Sequence, residues 1–126
     1  MAYDPNNIFA KILRGEIPCK KVYEDDHVLA FHDIYPKAPM HILVVPKGAY
    51  ADLDDFTKRA GSEEIAALFR AFGQIARDNK LDQAGYRMIS NNGRDGGQEV
   101  PHLHLHLLGG RELGRMVADD EQERKL

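Results

Sequence analysis

The sequence lacks most of the features that would place it in a specialised class of protein. It has no tryptophan and a single cysteine, Cys19, so no internal disulfide can form, which suits a reducing compartment. Its longest apolar run, residues 42–45, is too short to span a bilayer, and residues 1–7 lack the basic and apolar stretches of a secretory signal. These absences predict a soluble cytoplasmic protein that does not act at a membrane.

The sequence also lacks a large excess of charge of either sign. The formal net charge is -3, so there is no basic footprint for DNA or RNA, and we expect no nucleic-acid partner. Neither a GxGxxG motif nor a Walker lysine pattern is present, which excludes the two commonest nucleotide-binding motifs. The 126 residues, of which 43% are hydrophobic and 29% charged, predict one globular domain over residues 1–126.

The spacing of apolar residues predicts two helices and five strands, and therefore an α+β fold. We expect the helices at about residues 7–14 and 62–80, and the strands at 21–24, 28–32, 41–45, 85–91 and 102–108. The third strand is apolar almost throughout, which predicts a central position covered on both faces. A loop of roughly ten residues joins the last two strands, so we expect them to pair antiparallel.

The chemistry-bearing feature of the sequence is the run of alternating histidine and leucine over residues 102–107. Side chains alternate between the faces of a strand, so a strand here would place His102, His104 and His106 on one face, about 6.8 Å apart. Such a row could contact a phosphate-sized group. Imidazole can serve there as nucleophile, proton carrier or metal ligand.

Two other interpretations of the histidine run compete with phosphate chemistry. A polar strand face without function is disfavoured because three of the six histidines fall within five residues. A His-x-His pair can bind zinc or iron, but a cupin site would place a glutamate four or five residues after the second histidine. Those positions hold Leu108 and Gly109 after His104, and Gly110 and Arg111 after His106. We therefore expect no metal and no other cofactor.

Two segments outside the run bear on the same site. A glycine-rich loop at residues 92–99 leads directly into the histidines, and glycines allow backbone N–H groups to approach an anion, although such a loop alone could be an ordinary turn. His41 would join the site if the third strand lies beside the fifth. His27 and His32 are expected at a turn and at a strand end, without a catalytic role.

These residues resemble the histidine-triad (HIT) family, in its bacterial branch of nucleotide-binding phosphoramidase-like proteins. The family signature His-x-His-x-His-x-x with apolar x is matched by residues 102–108, and ordered matches follow elsewhere, at residues 8–12, 17–18, 23–26, 30–34, 39–47, 95–98 and 109–116. The resemblance covers about residues 7–118 and leaves a charged tail at about 117–126. It implies a HIT-like fold with an antiparallel five-stranded sheet and two helices, and a sheet that continues across a homodimer, which an exposed sheet edge would also favour.

The resemblance further implies a reaction. His104 would attack the α-phosphate of a purine nucleoside 5′-phosphoramidate or an aminoacyl-adenylate, and water would hydrolyse the nucleotidyl-histidine to release the nucleoside monophosphate. His102 and His106 would donate to the phosphate oxygens, and His41 would order the cluster or relay protons. An imidazole with a pKa near 6.5 is substantially neutral at pH 7, as a nucleophile must be.

The resemblance also implies a nucleotide-binding set. Asp33 would bind the ribose hydroxyls. The apolar base pocket would comprise Ile8, Phe9, Ile12, Ile17, Phe31 and Ile34, and the phosphate would be surrounded by Asn91, Gly97, Glu99 and Val100.

Three features differ from relatives within the family. Glu99 stands where animal members carry a serine thought to help the leaving amine, and the tail lacks their tryptophan-containing end. No Cys-x-x-Cys precedes the first helix, so the structural zinc of some relatives is not expected. Two alternatives stay open: a nucleotide-binding sensor or scaffold with incidental hydrolysis, and a dinucleoside-polyphosphate hydrolase, against which the bacterial-type ending Gly109-Gly110-Arg111 argues.

Overall fold

A computed structural model describes residues 2–118, which form a five-stranded antiparallel sheet with four helices. The elements are α1 (Ile8–Leu13), β1 (Lys21–Glu24), β2 (Val28–His32), β3 (Met40–Pro46), α2 (Leu53–Arg59), α3 (Ser62–Asp78), α4 (Leu81–Ala84), β4 (Arg87–Ser90) and β5 (Leu105–Gly109). Residues 119–126, most of the predicted charged tail, lie outside the described residues. No helix between residues 2 and 118 is both long and apolar enough to cross a membrane.

The helices α1 and α3 begin and end close to where the sequence indicates. The side chain of Asn7 caps α1 by accepting a hydrogen bond from the Ala10 N–H at 2.9 Å, and Gly15 follows with a φ of +79°, which favours glycine. Helix α3 starts with Glu63 and Glu64 at the positive end of its dipole. Its apolar stripe packs on the sheet, as predicted.

Two short helices, α2 and α4, are additional to the two that the sequence predicts. Their lengths of seven and four residues are too short to display a repeating apolar stripe, which is the signal that identified α3. The cap of α2 is nevertheless visible in the sequence, because the Asp52 side chain accepts a hydrogen bond from the Asp55 N–H at 2.7 Å.

The strand order β1-β2-β3-β5-β4 places β3 at the centre of the sheet, beside β5, as the apolar run at residues 42–45 predicts. Strands β4 and β5 pair antiparallel, also as predicted. The register sets Leu43 of β3 opposite His106 of β5, and His106 opposite Ile89 of β4. The histidine run therefore enters the middle of the sheet.

Alternation along the strands produces two apolar layers. On one face, side chains such as Val28, Ile42 and Leu105 pack against α3. On the other face, Leu29, Phe31, Leu43 and Val45 pack with Phe9 of α1. This second layer is small because α1 covers only part of the sheet, and the uncovered part carries the cavity described below.

Candidate active site

A cavity of about 490 Å³ lies on the α1 face of the sheet. Its wall combines apolar side chains from α1 and β2 with His41, His104 and His106. A space of this size with an apolar end and a few convergent polar groups is typical of a small-molecule site.

His104 is the more enclosed of the two histidines of the run that line the cavity, with an exposed fraction of 7%. Its ring lies 4.9 Å from the Phe9 ring and 5.0 Å from the His106 ring, measured between centroids. Its Nδ1–H donates a hydrogen bond to the carbonyl oxygen of His102 at 2.7 Å. A carbonyl can only accept, so the proton sits on Nδ1, and Nε2 carries the free lone pair that a nucleophile needs.

His102 does not stand in a row with the other two, as a strand over residues 102–108 would require. Strand β5 begins only at Leu105, because the Leu103 N–H donates to the Tyr50 carbonyl oxygen at 2.8 Å instead of to a neighbouring strand. The His102 side chain is fully buried and does not line the cavity. Its Nε2–H donates to the Pro46 carbonyl oxygen at 2.9 Å, and its Nδ1 accepts from the Tyr3 hydroxyl at 2.6 Å.

Both ring nitrogens of His102 are therefore occupied, and neither is free to donate to a phosphate oxygen. The side chain of His102 instead ties the loop before β5 to Pro46 and Tyr3. The carbonyl oxygen of the same residue fixes the ring of His104. It is a positioning residue and not a phosphate donor.

His41 and His106 form a directly hydrogen-bonded pair, with 2.9 Å between His41 Nε2 and His106 Nδ1. The backbone N–H of Lys37 donates to His41 Nδ1 at 3.0 Å, so this nitrogen must be unprotonated. The proton of neutral His41 is then on Nε2, and it is donated to His106 Nδ1. His106 must in turn carry its own proton on Nε2, which makes it a hydrogen-bond donor in the cavity wall.

All four histidines of the cluster have pKa values below the ordinary value of 6.5. Burial is the leading cause in each case, because it disfavours the charged imidazolium. The pKa falls to about 4 for His102 and for His106, where the neighbouring histidines lower it further. The carboxylates of Asp33 and Glu99 partly oppose the fall at His104. At neutral pH the rings are uncharged, as the hydrogen bonds require.

One group of side chains in the cavity could hold a metal ion. Asp33, His41 and His106 each bring one ligand atom within 4.8 Å of the others, and Asp33 Oδ2 lies 3.4 Å from His41 Nε2. Binding a cation through His41 Nε2 would move the proton of the neutral ring to Nδ1, where it would face the Lys37 N–H. Two donors would then oppose each other, so the tautomer of His41 disfavours a metal here.

All eleven residues predicted for nucleotide binding line the cavity. The apolar ones are Ile8, Phe9, Ile12, Ile17, Phe31, Ile34 and Val100, and the others are Asp33, Asn91, Gly97 and Glu99. Asp33 is fixed by its backbone turn, since its Oδ1 accepts a hydrogen bond from the Tyr35 N–H at 2.8 Å.

Sequence reasoning missed eight further residues of the cavity wall. They are Pro18, Cys19, His32, Tyr35, Lys37, Leu43, Ile89 and Leu108. Strand alternation would have indicated two of them, because Leu43 follows His41 by two positions and Leu108 follows His106 by two. Cys19 carries no such signal, and its thiol has a pKa raised by partial burial.

Similarity to known proteins agrees with this geometry. Residues 14–113 match the HIT domain family model. The chain is 64% identical to an uncharacterized HIT-like protein of Azospirillum brasilense, covering 91% of this chain and 94% of that protein, and 45% identical to a purine nucleoside phosphoramidase of Escherichia coli, covering 88% and 92%. A solved structure of a histidine triad protein from Clostridium difficile is 46% identical, with a TM-score of 0.81 over 92% of this chain and 100% of that chain.

Proposed function

Because the chain belongs to the HIT domain family, we propose that it hydrolyses purine nucleoside 5′-phosphoramidates and aminoacyl-adenylates through a nucleotidyl-histidine intermediate. The observation that carries the proposal is the fixed tautomer of His104, whose Nδ1–H is held by the His102 carbonyl oxygen at 2.7 Å. The E. coli relative is named a purine nucleoside phosphoramidase, which supports the same substrate class.

The cavity offers a complementary place for each part of such a substrate. The apolar wall from α1 and β2 suits a purine base, and the Asp33 carboxylate suits the ribose hydroxyls. His104 would then face the phosphorus, and His106 would offer its Nε2–H to a phosphate oxygen. A neutral donor in a buried site stabilises charge that develops in the transition state without repelling the nucleophile.

The two steps of the reaction balance as follows. In the first, His104 Nε2 forms a bond to phosphorus while the P–N bond breaks, and the amine departs with the bonding pair and a proton from water. The ring then carries a positive charge, which is stabilised by the hydrogen bond from its Nδ1–H to the His102 carbonyl oxygen. In the second, water attacks phosphorus, the bond to Nε2 breaks with its electron pair returning to the ring, and the nucleoside monophosphate leaves. The proton that the attacking water loses neutralises the hydroxide left by the first step. Splitting the displacement in this way replaces one difficult step by two easier ones.

A metal ion has no role in these steps as we propose them, because the nucleophile and the phosphate donor are both supplied by neutral histidines. Activity should therefore survive a chelator. Loss of activity in chelator with recovery on adding zinc would overturn this part of the proposal.

The partner that we propose is a second copy of the chain, joined through β4. Within residues 2–118 this strand is an edge of the sheet, and apolar side chains are exposed on it and just before it: Met88 is 45% and Tyr86 43% exposed. The opposite edge, β1, carries the charged pair Lys21–Glu24 at 2.8 Å, which discourages pairing.

The test of the mechanism is intact mass spectrometry after rapid mixing with adenosine 5′-phosphoramidate. We expect a transient protein species heavier by one adenylyl group, and steady release of AMP. His104→Ala should abolish both, since it removes the Nε2 lone pair whose ring is fixed by the His102 carbonyl oxygen, whereas His27→Ala, in a turn that does not line the cavity, should retain them.

Full turnover by His104→Ala would refute the mechanism. An adduct that forms without release of AMP would favour a nucleotide sensor over a hydrolase.

A further inference from the structure

Glu99 occupies a position that the proposed reaction does not explain. It lines the main cavity with His104, and it also lines a second hollow of about 360 Å³, formed with Gly93, Arg94, Gln98 and Pro101. Both spaces adjoin Glu99, so this carboxylate lies between the main cavity and the second hollow.

The carboxylate of Glu99 has no partner in the part of the chain between residues 2 and 118: no hydrogen bond and no ion pair reaches it there. Asp33, the other acid of the main cavity, is held by the Tyr35 N–H and lies 3.4 Å from His41 Nε2. The neighbouring Asp95 pairs with Arg94 at 3.2 Å. Glu99 is thus a solvent-exposed negative charge without a partner cation among these residues, beside the proposed phosphate site.

An uncompensated carboxylate at a phosphate site repels an anionic ligand, unless another part of the ligand brings positive charge. If the base lies at the apolar end of the cavity and the ribose lies at Asp33, then the leaving group beyond the phosphorus must lie elsewhere. The second hollow, which adjoins at Glu99, is the space available. Its lining combines the charged or polar side chains of Arg94, Gln98 and Glu99 with Pro101 and Gly93, so it can contact both the carbon chain and a charged end of a leaving group.

We propose that Glu99 selects the leaving group by charge, so that the substrates of this hydrolase are nucleoside phosphoramidates or acyl-nucleotides whose leaving group carries an ammonium. The inference rests on the proposed function and names its substrate class more closely. It also implies that polyphosphate leaving groups are rejected, because repulsion of the wrong ligand contributes to specificity as much as attraction of the right one.

The other charges near the second hollow do not replace that of Glu99. Arg94 is almost fully exposed and its guanidinium is paired with Asp95, so solvent and the ion pair both reduce its field. Lys37 lines the main cavity but donates its Nζ–H to the Tyr35 carbonyl oxygen at 2.9 Å. Glu99 also acts electrostatically on His104, which indicates that its charge is felt at the reacting atoms.

The experiment compares three adenosine phosphoramidates of equal chain length. Their amines are cadaverine, hexylamine and ε-aminocaproate, which end in an ammonium, a methyl and a carboxylate. For the wild type we expect kcat/KM to fall in that order. In Glu99→Gln, the ratio of the ammonium to the carboxylate substrate should fall roughly 10-fold, which is the size expected for a charge pair in a half-open cavity. Glu99→Lys should reverse the order.

The matched control is Glu63→Gln, the same substitution at an exposed carboxylate of α3 that lines neither hollow. It should leave the ratio unchanged. Raising the salt concentration should reduce the wild-type ratio, whereas a merely structural role of Glu99 would give a ratio insensitive to salt.

The outcomes separate the two proposals. Turnover of all three compounds with a ratio that Glu99→Gln does not change refutes the selection by charge and leaves the hydrolase intact. Failure of the wild type to cleave any of them, or cleavage that persists in His104→Ala, refutes the hydrolase mechanism and the inference with it.

Discussion

At the scale of single residues, the chemistry depends on which ring nitrogen carries each proton. His104 is protonated on Nδ1, whereas His41, His102 and His106 are protonated on Nε2, because each assignment follows from a backbone or side-chain partner with a fixed role. His104, the proposed nucleophile, is thus the one ring of the cluster in the Nδ1–H form.

This pattern can be measured by long-range proton–nitrogen NMR on protein labelled with ¹⁵N-histidine at neutral pH. Among the four cluster rings, out of six histidines in the chain, we expect three with an Nε2–H signature and one with an Nδ1–H signature. The Nδ1–H signals should disappear in His104→Ala. His106 in the Nδ1–H form would contradict the proposed donation from His41 and would remove the phosphate donor.

Sequence reasoning identified most of the cavity residues, but not the tautomers of the histidines or the contacts of His102. Chain position shows that His102 belongs to the alternating run, but it does not show that the Tyr50 carbonyl takes the Leu103 N–H and keeps residues 102–104 out of the strand. Contacts between segments far apart in sequence, such as that of His102 with Tyr3, have no local pattern that could predict them.

At the scale of secondary-structure elements, the two edges of the sheet differ in a way that the sequence shows only in part. Edge strand β1 has charged residues at both ends, and Glu24 pairs with both Lys21 and Lys47 at 2.8 Å. Edge strand β4 exposes Met88, and the Tyr86 ring before it contacts the Phe72 ring of α3 at 5.9 Å. The alternation of side chains along each strand could be predicted from the sequence. Which strands form the edges could not, because that depends on the order of the strands in the sheet.

We therefore predict that Met88→Lys weakens or abolishes a dimer, because a buried unpaired ammonium at a strand edge is unfavourable. Size-exclusion chromatography with light scattering would show the mass of one chain in place of two. Thr57→Lys adds the same charge on an exposed face of α2 and should keep the wild-type mass. A dimer unaffected by Met88→Lys would place the interface elsewhere.

At the scale of the whole molecule, the site and the core are one unit, because the histidine cluster draws on α1, β3, β5 and the loop before it. The apolar pattern predicted most of this architecture, since α3, β3 and β5 each carry a strong periodic or continuous signal. The short elements α2 and α4 and the late start of β5 were set by tertiary contacts instead.

Burial of neutral histidines makes the stability of the protein depend on pH. The unfolded chain binds protons below about pH 6.5, whereas native His102 and His106 do so only at about pH 4. The free energy of unfolding should therefore decrease as the pH is lowered from 6.5 to 4, by roughly 3 kcal/mol for His102 alone. Urea denaturation at a series of pH values would measure it.

Two carboxyl groups, those of Glu24 and Asp55, affect the free energy of unfolding in a separate, lower range of pH. The pKa values of Glu24 and Asp55 are lowered to about 2 by their hydrogen-bonded cations, so their contribution is lost only below about pH 4.5. A free energy of unfolding that stays flat between pH 6.5 and 4.5 would contradict the burial of neutral histidines.

Three atoms that orient the histidine rings belong to the main chain: the Lys37 N–H, the Pro46 carbonyl oxygen and the His102 carbonyl oxygen. Changing the side chains at positions 37 and 46 leaves these main-chain groups in place. Alanine scanning would therefore not detect their contribution to the orientation of the histidine rings. Surveys of mutational tolerance would score such positions as permissive, although the path of their backbone is essential. The Glu99 side chain has the opposite character, since it is exposed and its replacement leaves these main-chain hydrogen bonds in place. Related proteins can therefore change the leaving group that they accept by substitution at this position, while they keep the same proposed nucleophile.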